Sequence, residues 1–211
     1  MNPPLLNLSI VDDDEAVRRS IASLLLAHLD DCRIQTFESG EAFLQAGVPD
    51  NGVVLLDLRM QGMSGLDVFA RLKQANSALA VVFLSGHGDI PVAVRAMQEG
   101  ALSWLEKPCS DDQLLATMRR ALQHATTIAA QRKDRQLALE RWSKLTPRER
   151  QVAPLIAEGK SNKESALLLS RQDPDNPIDF RTVESHRAKL FAKLDVANSN
   201  ALLVFLRDNG L

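Results

Sequence analysis

Val53-Val54-Leu55-Leu56-Asp57-Leu58-Arg59-Met60 is the stretch on which the fold turns. A strand with one face in water alternates apolar and polar residues, whereas one covered on both faces is apolar throughout. Val53 to Leu56 is therefore predicted to be a strand sandwiched between helices, with Asp57 at its C-terminal end. Val81-Val82-Phe83-Leu84 repeats the pattern and ends at Ser85. Working outward, Leu8 to Val11, Arg33 to Phe37 and Leu102 to Leu105 read as further strands, and Ala80 to Leu84 as the fourth of five. Helical patterns lie between them. The first runs from Asp14 to Leu29, with Val17, Ile21, Leu24, Leu25 and Leu29 on one stripe. Others span Ser39 to Gln45, Gly65 to Gln74, Pro91 to Glu99, and Asp111 onward. This alternation predicts an α/β unit with a parallel sheet and helices on both faces. Ligands of such sheets sit at the C-terminal ends of the strands.

The 211 residues allow one large or two modest domains. With 45% apolar and 25% charged residues, the composition is that of an ordinary globular chain, which argues against long disorder. The two cysteines, Cys32 and Cys109, are far apart and suggest neither a disulfide framework nor a zinc site. The apolar runs are too short for a membrane span. The N-terminus lacks the basic region of a signal peptide and soon reaches Asp12-Asp13-Asp14. A cytoplasmic protein with no membrane partner is expected. The charge is uneven: residues 1–122 carry 10 Lys/Arg and 16 Asp/Glu, net −6, and residues 123–211 carry 15 and 11, net +4. An acidic half suits a cation, and a basic half suits nucleic acid.

From Cys109 to Thr146 there is neither Gly nor Pro, so the helix from Asp111 is free to continue. Its stripe of Leu115, Met118, Leu122 and Ala125 fades into Gln131-Arg132-Lys133-Asp134-Arg135, then resumes weakly at Leu137, Trp142 and Leu145. The expected organisation is a first domain over 1–124, a helical linker over 125–142 and a second domain over 143–211. The second domain reads as all-helical. Thr146-Pro147-Arg148-Glu149 has an N-cap, a proline at the first helical position and a capping-box glutamate, opening a helix that stops near Gly159. Asn162 to Leu169, Thr182 to Leu194 and Asn198 to Asp208 follow.

The predicted sheet brings Asp12, Asp13, Asp57, Ser85 and Lys107 to successive strand ends, hence into one crevice. Converging carboxylates repel unless a cation sits among them, and an all-oxygen, highly charged set suits Mg²⁺. A carboxylate beside Mg²⁺ can attack phosphorus and form an aspartyl phosphate. Lys107 would offset phosphoryl charge, and the Ser85 hydroxyl would donate to a phosphoryl oxygen.

Val11-Asp12-Asp13, Leu55 to Met60, Gly62-Met63-Ser64-Gly65-Leu66, Leu84-Ser85-Gly86-His87-Gly88-Asp89 and Leu105-Glu106-Lys107-Pro108 together resemble a response-regulator receiver domain over about residues 5–123. The resemblance implies a flavodoxin-like, doubly wound five-stranded parallel sheet. It implies Asp57 as the phosphoacceptor, with Asp12, Asp13, Asp57 and the backbone carbonyl of Arg59 as Mg²⁺ ligands. It also implies Ser85 as switch hydroxyl, Trp104 as the aromatic that moves with it, Lys107 as the phosphate-binding lysine, and a cis peptide before Pro108. Gln61 departs from the family's usual Pro, Cys109 from its common Phe, and Trp104 is bulkier than the usual Phe or Tyr.

In the basic half, two short helices, a turn and an amphipathic helix suggest a helix-turn-helix. Leu145 to Val152, Gly159 to Glu164 and Arg181 to Leu190, with Lys193-Leu194, resemble a LuxR-type DNA-binding domain. With the receiver, the whole resembles the NarL/FixJ group of transcriptional response regulators. The resemblance places Glu184, Ser185 and Ala188 toward bases, Glu184 accepting from a cytosine amine. Arg181, Thr182, Arg187, Lys189 and Lys193 would meet phosphates, and His186 would either meet a phosphate or pack locally. The family's turn is only a few residues long, whereas Arg171 to Phe180 here carries Gln-Asp-Pro-Asp-Asn-Pro-Ile-Asp, a turn-rich acidic insertion.

The expectation is a phosphorylation-gated transcription factor, not a free-standing enzyme, whose receiver assists its own phosphorylation and dephosphorylation. Its implied partners are a sensor histidine kinase, double-stranded DNA, RNA polymerase and a second copy of the chain once phosphorylated. Two alternatives are weaker. A phosphohydrolase of haloacid-dehalogenase type needs a second Asp two residues after the nucleophile, where Arg59 stands. A receiver used only for phosphorylation-independent dimerisation would not need the complete acidic pocket.

Overall fold

Leu6–Val11 (β1), Cys32–Phe37 (β2), Gly52–Asp57 (β3), Ala80–Ser85 (β4) and Ser103–Glu106 (β5) form one all-parallel sheet of order β2-β1-β3-β4-β5 in a computed structural model that describes residues 6–30, 32–86 and 90–211. Glu15–His28 (α1), Gly40–Gln45 (α2), Gly65–Gln74 (α3), Ile90–Gln98 (α4) and the start of Asp111–Ser143 (α5) alternate with the strands. This is the flavodoxin-like doubly wound order, and its side chains explain it. Val53 and Leu55 of β3 face a core with Ile21 and Leu25 of α1 and Leu115 and Met118 of α5. Val54 and Leu56, pointing the other way, join Phe43 of α2 and Val68, Phe69 and Leu72 of α3. All six residues of β3 and of β4 are buried, as a strand covered on both faces requires.

Helix starts are set by short polar side chains. Asp14 accepts the amides of Ala16 and Val17, and Ser64 forms a capping box with Asp67. The register pairs Val11 with Leu56, Asp57 with Leu84 and Ser85 with Glu106. Asp12, Asp57, Ser85 and Lys107 thereby arrive at one edge of the sheet.

The chain divides into two compact units, residues 1–130 and 131–211. The division falls inside α5, a helix of 33 residues that includes the stretch 125–142 expected to be a helical linker. Ala125 is still buried in the first core, and Trp142 packs against the second.

The second unit contains Pro147–Ala157 (α6), Asn162–Gln172 (α7), Phe180–Leu194 (α8) and Ser199–Asn209 (α9). Val152 and Ile156 of α6, Leu169 of α7, Val183, Leu190 and Leu194 of α8 and Leu202 of α9 make its core. The predicted capping box at Thr146 and Glu149 is present, and Ser161 forms another with Glu164. Arg171 and Gln172 belong to α7, and Phe180 opens α8 under an N-cap from Asp179. The inserted turn is thus residues 173–179, between α7 and α8.

Candidate functional site

β1 ends at Val11, so Asp12 enters the crevice from the strand itself. Its side chain is 2% exposed. Oδ1 accepts the Asp14 amide at 2.9 Å, Oδ2 accepts from Lys107 Nζ at 2.7 Å, and its carbonyl accepts from Arg18 at 2.6 Å. Asp57, also buried, closes β3; Oδ1 accepts from Lys107 Nζ at 2.7 Å and Oδ2 from the Arg59 amide at 3.2 Å. Asp13 lies at the exposed rim, with Oδ2 accepting the Gln61 amide at 3.0 Å. One carboxylate oxygen from each of Asp12, Asp13 and Asp57 falls within a 4.8 Å group.

Lys107 is positioned by its backbone amide, which donates to the Ser85 carbonyl at 2.6 Å, and the peptide it makes with Pro108 is cis. Ser85 is fully buried, and its hydroxyl donates to the Gly86 carbonyl at 3.0 Å. Trp104 packs half-buried against Phe83, ring centroids 5.3 Å apart. His87, Gly88 and Asp89 of the Leu84 to Asp89 motif lie outside the described residues.

The electrostatics reflect burial first. Burial pushes the Asp57 carboxyl up, and the nearby Asp12 charge adds to that; the Lys107 ammonium and the Arg59 amide pull down without prevailing. Burial works against the Lys107 ammonium, but its bonds to Asp12 and Asp57 outweigh this and hold its pKa above the ordinary value. An all-oxygen cluster with more negative charge than one ammonium balances suits a hard divalent cation such as Mg²⁺.

The predicted DNA face divides in two. Arg181, Thr182, Glu184, Ser185, Ala188 and Lys189 are exposed on α8. The other three are engaged within the domain. Arg187 donates to Ser199 Oγ at 3.2 Å and stacks over Phe191 at 5.3 Å. Lys193 Nζ donates to Oε2 of the buried Glu149 at 2.7 Å. His186 is half-buried, its Nδ1 enclosed with no hydrogen-bond partner; burial depresses its pKa, aided by Lys189, Arg148 and Lys193 against the opposing charge of Glu149.

Several contacts escaped sequence reasoning. Glu41 accepts the Met63 amide at 2.8 Å and so holds the loop after Asp57. Arg148 donates to the Asn176 carbonyl at 2.6 Å, and Ser170 exchanges hydrogen bonds with Ile178 at 2.9 and 3.2 Å, fastening the inserted turn. These partners are 8 to 28 residues apart and carry no local pattern. The Asp14 amide and Arg18 were within reach of the Asp12-Asp13-Asp14 run, as neighbours at the start of α1.

A buried aspartate at the end of β3, flanked by acids from β1 and a lysine after β5, defines a receiver; a four-helix unit with an exposed polar helix follows it. Residues 8–119 match the response regulator receiver domain family, and residues 143–206 match the luxR family of bacterial regulatory proteins. The chain belongs to the response regulators of the NarL/FixJ group, DNA-binding transcriptional regulators of two-component systems. It is 38% identical to the transcriptional regulatory protein FixJ of Azorhizobium caulinodans over 93% of this chain and 89% of that one. It is also 38% identical to the tetrathionate response regulatory protein TtrR of Salmonella typhimurium, with the same coverage. Among solved structures, the response regulator StyR superposes with a TM-score of 0.81 at 32% identity, over 96% of this chain and 98% of that one. Full-length FixJ of B. japonicum gives 0.56 at 34% identity, over 97% of each chain. Among the described residues no helix is long and apolar enough to cross a membrane.

Proposed function

We propose that this chain accepts a phosphoryl group on Asp57 from a sensor histidine kinase and that the modification gates DNA binding by α8. The observation that carries this reading is Lys107 Nζ at 2.7 Å from both Asp12 and Asp57, with Asp13 converging on the same place. An Asp57 carboxylate oxygen attacks phosphorus, the P–N bond to the donor imidazole breaks, and the electron pair leaves with the imidazole. Lys107 offsets charge on the phosphoryl oxygens, and the Ser85 hydroxyl turns from Gly86 to donate to one of them. Asp12, Asp13, Asp57 and the Arg59 carbonyl would hold Mg²⁺, which supplies positive charge against the phosphoryl oxygens. The receiver thereby assists its own phosphorylation and dephosphorylation.

The redirected Ser85 biases Trp104, which rests on Phe83 of the adjacent strand. The readout is a homodimer through a face near α4 and α5, where Ile90, Val94 and Met97 are exposed. At DNA, Glu184, Ser185 and Ala188 face bases while Arg181, Thr182 and Lys189 meet phosphates. Arg187 and Lys193, bonded to Ser199 and Glu149, hold α8 on the domain, and His186 packs locally. The regulator acts in the cytoplasm, with RNA polymerase as the partner at the promoter. Phosphotransfer from a histidine kinase to the purified chain with Mg²⁺, followed by DNA-binding isotherms with and without the modification, tests the reading. Equal affinity and equal oligomeric state in both forms would reject the gating and leave the DNA-binding assignment in place.

A further inference from the structure

Three alternate amides in the loop after β3 each donate to a carboxylate: Arg59 to Asp57 at 3.2 Å, Gln61 to Asp13 at 3.0 Å and Met63 to Glu41 at 2.8 Å. The outer two fix the loop's course, because Asp57 ends a buried strand and Glu41 stands on α2. Gly62 is pressed against the same glutamate. It has φ of +78°, and a Cβ there would lie 2.8 Å from Glu41 Oε1. The middle amide is therefore presented to Asp13 by a loop that is fastened on either side.

Asp13 is the member of the acidic group that needs such support. Asp12 and Asp57 are buried and share Lys107. Asp13 is exposed and repelled by both, so an unrestrained side chain would swing toward water. We infer that the backbone N–H of Gln61 is a positioning group for metal binding, holding the Asp13 carboxylate in convergence with Asp12 and Asp57. Proline at this position, which the receiver pattern usually carries, has no N–H and provides no such bond. The inference rests on the reading of the pocket as a Mg²⁺ site.

The test is titration of the full-length chain with MgCl₂ by calorimetry, comparing Gln61→Pro with Gln61→Ala. Alanine keeps the N–H, and proline removes it. The proline variant is expected to bind Mg²⁺ about threefold to tenfold more weakly than the alanine variant, the range for a charge-assisted bond weakened by exposure. With Asp13→Ala added to both, the difference should vanish. A second measurement does not require the proline variant to fold: the Gln61 amide proton resonance of the metal-free chain should move upfield in Asp13→Ala. Equal Mg²⁺ affinity of the two variants, or an unmoved Gln61 resonance, would overturn the inference while leaving the metal site intact. A wild-type chain with no Mg²⁺ binding would overturn the site reading together with it.

Discussion

Lys107 and Lys193 each place an ammonium 2.7 Å from a buried carboxylate oxygen, one in either half of the chain. The lysines are similarly exposed, at 30% and 34%, yet the carboxyls they touch are driven in opposite directions. Asp57 is held above the ordinary value: burial dominates, Asp12 adds repulsion, and Lys107 must serve both acids. Glu149 is held below it: burial raises it, but Lys193 and the Thr146 amide, at 2.8 Å, together prevail. The ratio of charges sets the difference. One ammonium against converging acids leaves a site short of positive charge. One ammonium against a single acid that is also a capping-box partner leaves a closed structural contact.

The largest expected effect tests the unbalanced side of this comparison. With Mg²⁺ and a small phosphodonor, Asp57→Asn should reduce specific labelling to background, read by intact mass. Stoichiometric label in the Asn variant would move the nucleophile elsewhere.

The balanced side should fail through stability instead. Lys193→Ala leaves Glu149 buried without its ammonium, so the second unit should lose about 1–3 kcal/mol in urea unfolding. Lys107→Ala should leave the unfolding midpoint of that unit unchanged and impair phosphoryl acceptance. Comparable losses of unit stability in both variants would erase the distinction.

Acid sharpens the contrast further. Because the folded pKa of Glu149 lies below its ordinary 4.5, its contribution is complete above 4.5 and disappears as pH falls through the lower folded value. His186 acts earlier. Burial depresses its pKa from 6.5, so the neutral ring's contribution is complete above 6.5 and is lost as pH falls through the depressed value. The second unit should therefore weaken in two acid limbs, and His186→Gln should flatten the upper one in unfolding series from pH 8 downward.

The smallest stability change belongs to the exposed neighbour on the same helix. Lys189→Ala should alter stability by no more than about 0.5 kcal/mol. It should make the slope of log affinity against log salt shallower by about one unit. Glu184→Ala should shift base preference with little change in that slope, as binding isotherms at several salt concentrations would show.

The parallel α/β layout and the acidic crevice were legible in local pattern, because unbroken apolar quartets ending in Asp57 and Ser85 call for cover on both faces, whereas the strand order came only with the resemblance to a receiver. The capping box at Thr146 was equally local. Partner choice was not local. Arg187 and Lys193 lie on a face that reads as basic and outward, but Ser199 and Glu149 arrive from other helices to claim them. The continuity of α5 was legible only in part. The absence of Gly and Pro permits a long helix, while the burial of Ala125 on one side of the division and the packing of Trp142 on the other depend on tertiary surroundings.

The reciprocal Ser170–Ile178 bonds have a practical consequence. They tie the inserted turn at its base, so residues between Asp173 and Pro177 form a closed appendix whose length is largely decoupled from α7 and α8. Lengthening a loop already closed at its neck adds only a logarithmic entropy penalty, about 0.6 kcal/mol for each doubling. The exposed tip at Pro174-Asp175 is thus a natural graft point for a fluorophore or epitope, provided that the Asn176 carbonyl keeps its hold on Arg148.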